Sequence, residues 1–94
     1  MNLKKSLEKL REELKYNDRE LIITLSHRNK IIKNIAKEKK RLNLPVKYKN
    51  IEKENMKERI RLGIAYGLNK KTIKKLFLLL TKDSRKIQEE IIKR

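Results

Sequence analysis

From Ser6 to Leu42 the chain carries neither proline nor glycine, and its apolar residues return at the period of a helix. Leu3, Leu7, Leu10, Leu14, Leu21, Leu25, Ile31, Ile32, Ile35 and Leu42 are spaced mostly by three, four or seven. The spacing predicts one helix of nearly forty residues, which would be roughly 55 Å long. A compact chain of 94 residues has a radius of gyration of only about 12 Å. A helix of that length is therefore expected to project, and an apolar stripe on a projecting helix needs a partner. The expectation is an obligate oligomer.

Composition points the same way. Lysine and arginine number 28 against 12 aspartates and glutamates, a net charge of +16, and apolar residues make up only 37%. So short and polar a chain is expected to be a single domain, 1–94, that leans on association for its core. The absence of cysteine excludes disulfides, thiolate metal sites and cysteine nucleophiles. A single histidine, His27, argues against histidine metal clusters and against a Ser-His-Asp triad. It is expected at a surface or rim. No apolar run reaches membrane-spanning length, and the N-terminus lacks the apolar stretch of a signal peptide, so the expected compartment is the cytoplasm.

Pro45, Gly63 and Gly67 punctuate the rest. The segment Asn43-Leu44-Pro45-Val46 is expected to break the long helix, since proline disfavours a helical conformation at the residue before it. A second helix is expected after Asn50, a good N-cap, with Glu52 in its first turn and a stripe of Met56, Ile60, Gly63 and Ile64. Gly67-Leu68 reads as a helix stop with its hydrophobic contact. Asn69 then caps a third helix with Ile73, Leu76, Phe77, Leu80, Ile87 and Ile91 on its buried side. There is no strand signal. The fold class is all-α, one very long helix and two shorter ones.

Polar residues standing in apolar stripes carry the functional information. Arg28 lies between Leu21/Leu25 and Ile31/Ile32/Ile35. Lys39 follows eleven residues later, facing almost the same way. Ser84 and Gln88 are four apart on one face of the third helix, and Glu52 leads the stripe of the second. Singly, each has an ordinary structural reading: a snorkelling cation, a dipole-facing carboxylate, polar residues near a helix end. Together, two cations, a carboxylate and two hydrogen-bonding groups describe a polar pocket in a helical bundle, with an anionic ligand implied. The lysine-rich stretches Lys37 to Arg41 and Lys70 to Lys75 read as solvated helix faces, and Tyr16, Tyr48 and Tyr66 are too scattered for a base-stacking platform.

The ordered set of residues resembles the all-helical (AroQ-class) chorismate mutases, most of all the N-terminal mutase module of bifunctional chorismate mutase–prephenate dehydratases. The resemblance runs through Leu10-Arg11-Glu12, Asp18, Glu20-Leu21, Arg28, Ile35-Ala36 and Lys39. It continues through Leu44-Pro45-Val46, Glu52, Leu62-Gly63, Ala65 and Gly67-Leu68, then Ile73, Leu76-Phe77, Asp83-Ser84 and Gln88. It covers nearly the whole chain without gaps.

The resemblance implies an intertwined homodimer whose long helices pair, with each active site drawing on both chains. It implies the rearrangement of chorismate to prephenate, toward phenylalanine and tyrosine. This is a unimolecular pericyclic step with no proton transfer, covalent intermediate, metal or cofactor. What the protein supplies is confinement of a reactive conformer and stabilisation of charge as the ether bond breaks. The resemblance implies that Arg28, with Arg11 from the partner subunit, holds the carboxylates of the dianionic substrate, assisted by Ser84. It assigns Lys39 and Gln88 to the ether oxygen and Glu52 to the substrate hydroxyl.

Two positions depart from the family pattern. The family usually has arginine just before the glutamate, where this chain has Ile51, and aspartate three residues earlier, where it has Tyr48. At Tyr48 the backbone can supply part of the lost contact, and Lys49 or Lys53 offers a substitute cation near Ile51. A lost charge-assisted hydrogen bond costs about 1.5–3 kcal/mol, so reduced activity is expected. The same fold serves isochorismate pyruvate lyases, for which Glu52 is out of place, and mutase-like proteins without activity. A nucleic-acid-binding protein is the rival from another class. The charge supports non-specific binding at low salt, but the lysines surround all three helices and no nucleic-acid-reading motif is present.

Overall fold

The structure is a computed structural model that describes residues 3–94. They form three α-helices and, among the described residues, no strand: α1 is Leu3–Leu42, α2 is Lys49–Ala65 and α3 is Lys70–Lys93. The chain falls into two compact units, Met1–Ile31 and Ile32–Arg94.

In the first unit, residues 4–24 of α1 are exposed on every side. The expected apolar stripe is present but uncovered, with Leu7, Leu10, Leu14 and Leu21 each 47–61% exposed. His27 is exposed, as the sequence indicated.

The second unit contains the end of α1 with α2 and α3. Two helix stops of one kind shape it. Asn43 adopts the left-handed conformation (φ 56°). Its N–H donates to the Lys40 carbonyl at 3.3 Å, and that of Leu44 to the Lys39 carbonyl at 2.8 Å. Gly67 (φ 77°) ends α2 in the same way, with its N–H on Ile64 O and that of Leu68 on Gly63 O, both at 2.9 Å. Each is a Schellman motif, in which a left-handed residue turns the chain so that the last carbonyls find donors. The long helix is thus stopped at Asn43, two residues before Pro45. Asn69 caps α3 as expected, its side chain accepting from the N–H groups of Lys71 (2.9 Å) and Thr72 (3.2 Å).

The start of α2 differs from the expectation. The helix begins at Lys49, with Tyr48 extended at the N-cap (φ −125°, ψ 97°) and giving no side-chain cap. The Tyr48 carbonyl accepts the Glu52 N–H at 2.9 Å and closes the first turn, so Asn50 lies inside the helix.

Packing between α2 and α3 centres on Gly63 and Ile73, both buried. A Cβ on Gly63 would stand 2.7 Å from Ile73 Cγ1, so glycine is what permits this approach. Arg59 lies over the Phe77 ring, 4.7 Å from its centre. Ala36 on α1 is fully buried. Lys40 donates to the Arg94 carbonyl at 2.9 Å, placing a cation at the negative end of α3. Ile64 and Leu76, expected in the buried stripes, are 53% and 41% exposed. The inward face of α2 runs through Met56, Ile60 and Gly63, and Ile64 is turned past it by one residue's rotation.

Candidate active site

Lys39 sits in the last turn of α1, and the stop at Asn43 bends the following chain back over it. Its Nζ donates to the Val46 carbonyl at 2.6 Å and to Gln88 Oε1 on α3 at 2.8 Å. The Tyr48 ring covers it with its centre 5.4 Å away. An ammonium has three hydrogens and no acceptor. Two of these hydrogens are used here, on Val46 and Gln88. The contact also fixes the Gln88 amide: its oxygen faces the lysine, so its NH2 is available as a donor. Burial pushes the Lys39 ammonium below the usual lysine range, and the Glu52 carboxylate opposes that shift.

Glu52 stands in the first turn of α2. The Arg85 guanidinium on α3 forks it, with Nε donating to Oε1 at 3.0 Å and Nη2 to Oε2. Side-chain exposure is 33% for Arg85 and 28% for Glu52, so the pair is screened only in part. The Arg85 pKa is raised, first by its hydrogen bond to Glu52.

Ser84 and Gln88 are both buried polar residues on α3, one helical turn apart. The Ser84 hydroxyl donates to the Leu80 carbonyl at 2.7 Å, a local bond back to its own helix.

The second unit therefore joins Lys39 to Gln88 and Tyr48 and forks Glu52 from α3, with Ser84 on the Gln88 face. Arg11 and Arg28 belong to the first unit. Seventeen residues separate them on α1, about 25 Å of helix. Arg11 is exposed and Arg28 half-buried. Arg85 is the residue that sequence reasoning missed. The only available signal was its place directly after Ser84 in a helix with an apolar stripe. A groove of about 560 Å³ between α2 and α3 includes Glu52 and Arg85 in its walls, with Met56, Ile60 and Leu78. Lys39, Ser84 and Gln88 do not line it, so the polar cluster and the groove meet only at the Glu52–Arg85 pair.

Fold and cluster together define an all-helical protein in which the Lys39–Gln88 contact and the Glu52–Arg85 pair together carry one net positive charge. Residues 10–89 match the family described as chorismate mutase type II. The chain is also 38% identical, over 96 aligned residues, to the bifunctional chorismate mutase/prephenate dehydratase of Buchnera aphidicola subsp. Baizongia pistaciae (strain Bp). That alignment covers 100% of this chain and 25% of the relative. The chain belongs to the chorismate mutase type II family. It spans a quarter of the length of the curated relative it matches. This is the family that the ordered residues of the sequence indicated. Among the described residues no helix is long and apolar enough to cross a membrane.

Proposed function

We propose that the chain rearranges chorismate to prephenate at the Lys39–Glu52–Gln88 cluster and does so as a homodimer in the cytoplasm. The observation that carries the reading is the 2.8 Å bond from Lys39 Nζ to Gln88 Oε1. It leaves one ammonium hydrogen and one amide NH2 as neighbouring donors. As the substrate's ether bond breaks, negative charge grows on its oxygen. Donors already in place stabilise that charge without reorganising. Glu52, an acceptor when ionised, takes the substrate hydroxyl. Arg28 and Arg11 of the partner subunit grip the two carboxylates as planar forks. Ser84 assists at a carboxylate only after its hydroxyl turns from Leu80, because its single hydrogen is engaged there. The Tyr48 carbonyl keeps a second lone pair beyond the one given to Glu52 N–H, which suits a contact to the hydroxyl.

The dimer is supported by the uncovered stripe of Leu7, Leu10, Leu14 and Leu21. Four exposed leucines along one helix call for a covering partner. With Ile51 and Tyr48 in place of the family's arginine and aspartate, the rate is expected to lie below that of family members that retain both.

Incubation of the purified protein with chorismate tests the reading. Prephenate formation that disappears in Lys39→Ala supports it. If chorismate is untouched and isochorismate yields pyruvate, the protein is a lyase. Inertness toward both sinks the catalytic reading.

A further inference from the structure

We propose that Arg85 is a positioning residue of this site, holding the Glu52 carboxylate from α3 and supplying the cation that the chain lacks at position 51. The inference rests on the mutase reading above. Among the described residues, the ion pairs Lys15–Glu12, Arg41–Glu38, Lys57–Glu54 and Arg61–Glu58 each span three residues of one helix. All their side chains are at least 61% exposed. Such pairs hold little in place. The Arg85–Glu52 pair is of another kind. It joins two helices across 33 residues of sequence, uses both carboxylate oxygens, and is about two-thirds withdrawn from water.

The fork has two consequences for a site that takes a dianion. A two-point grip fixes the plane of the Glu52 carboxylate, which a single ammonium cannot do. A carboxylate has about four lone-pair positions, so Glu52 held in this way still accepts from a substrate hydroxyl. Arg85 also neutralises a negative charge that would otherwise face an anionic substrate beside Lys39. Ile51, one residue before Glu52, is 56% exposed and does neither. Lys49 and Lys53 flank it on α2, are exposed, and have no hydrogen bond to Glu52 among those described. The cation therefore reaches Glu52 from the facing helix.

The test is steady-state kinetics on chorismate, with melting curves, for the unaltered protein, Arg85→Gln, Arg85→Lys and the double variant Ile51→Arg/Arg85→Gln. Arg85→Gln is expected to raise KM at least ~10-fold and to lower kcat/KM by ~10- to 100-fold, while still melting cooperatively. Arg85→Lys should recover part of the loss, since it restores charge without the fork. The double variant should recover more than half of the logarithmic loss, because position 51 is exposed and has room for the longer side chain. A merely structural Arg85 would shift the melting curve and leave KM alone. Unchanged KM and kcat in Arg85→Gln overturn the proposal, as does a double variant no better than Arg85→Gln. If Arg85→Gln does not fold, Arg85→Lys decides: a several-fold rise in KM supports the assignment and an unchanged KM ends it. An unaltered protein without mutase activity overturns the functional reading itself, and this assignment with it.

Discussion

Lys39 and Gln88 lie 49 residues apart in sequence, yet the ammonium of one donates to the side-chain oxygen of the other at 2.8 Å. Each fixes the other's remaining hydrogen-bonding capacity. Lysine cannot accept, so glutamine must present its oxygen, and its NH2 is left as the donor. The two side chains should therefore act as a unit. Lys39→Ala is expected to lower kcat by roughly 100- to 1,000-fold, the usual cost of one donor to a developing oxyanion. Gln88→Ala should have a smaller effect. The double variant should fall short of the product of the two losses. Fully multiplicative effects in a double-mutant cycle would show that the contact does not couple them.

The charge of Lys39 gives the reaction a basic limit. Burial holds its pKa below the ordinary lysine value. The protonated form is the donor, so activity is expected to be full below that pKa and lost as pH rises through it. A bound dianion favours the ammonium, so the limb in kcat should lie at higher pH than the limb in kcat/KM. Lys39→Arg, if active, should lose the limb, because guanidinium does not titrate in the accessible range. A profile for the unaltered protein that stays flat until alkaline unfolding would count against the role of Lys39.

Gly63 and Gly67 are needed for different reasons, and substitutions separate them. At Gly63 a Cβ meets Ile73 at 2.7 Å. Gly63→Ala should cost about 1–3 kcal/mol through overpacking, with Tm falling by roughly 4–8 °C per kcal/mol in a domain of this size. At Gly67 a Cβ meets nothing within 4 Å, and the demand is the positive φ of 77°. Gly67→Ala should cost about 1 kcal/mol. Gly67→Asn should recover much of it, as asparagine already serves the same turn at Asn43. Thermal melts of the three variants check this. Equal losses for Gly67→Asn and Gly67→Ala would refute the conformational account.

The apolar stripe at the start of α1 predicts association. Sedimentation at micromolar concentration should give twice the chain mass of 11.4 kDa. Leu14→Glu, at a position 61% exposed in the single chain, should shift the mass toward the monomer and lower kcat/KM with it. That joint loss is expected because each site is proposed to need Arg11 of the partner subunit. A monomer with full activity would separate catalysis from assembly.

Much of the architecture was legible locally. A run without proline or glycine and with 3.6-residue periodicity gives α1. Asn69 and Gly67 mark the ends of α3 and α2 through chemistry confined to a few neighbouring residues. The N-terminus of α2 was not legible, because Asn50 is the better cap by residue type while the backbone turns at Tyr48. Local preference yielded there to the path of the chain leaving Lys39, whose Nζ holds the Val46 carbonyl.

The sequence by itself determined the three helices apart from the start of α2, the family and the set of polar residues standing in apolar stripes. Each of these is written in periodicity, in caps and in residue order. Only the tertiary structure decided what those residues touch. It set Lys39 against Gln88 and Val46, and it gave Glu52 to Arg85 rather than to a lysine on its own helix. The physical reason is range. Helix periodicity and capping act over three or four residues. A hydrogen bond between helices depends on how closely their backbones approach, and here Gly63 against Ile73 sets that distance for α2 and α3.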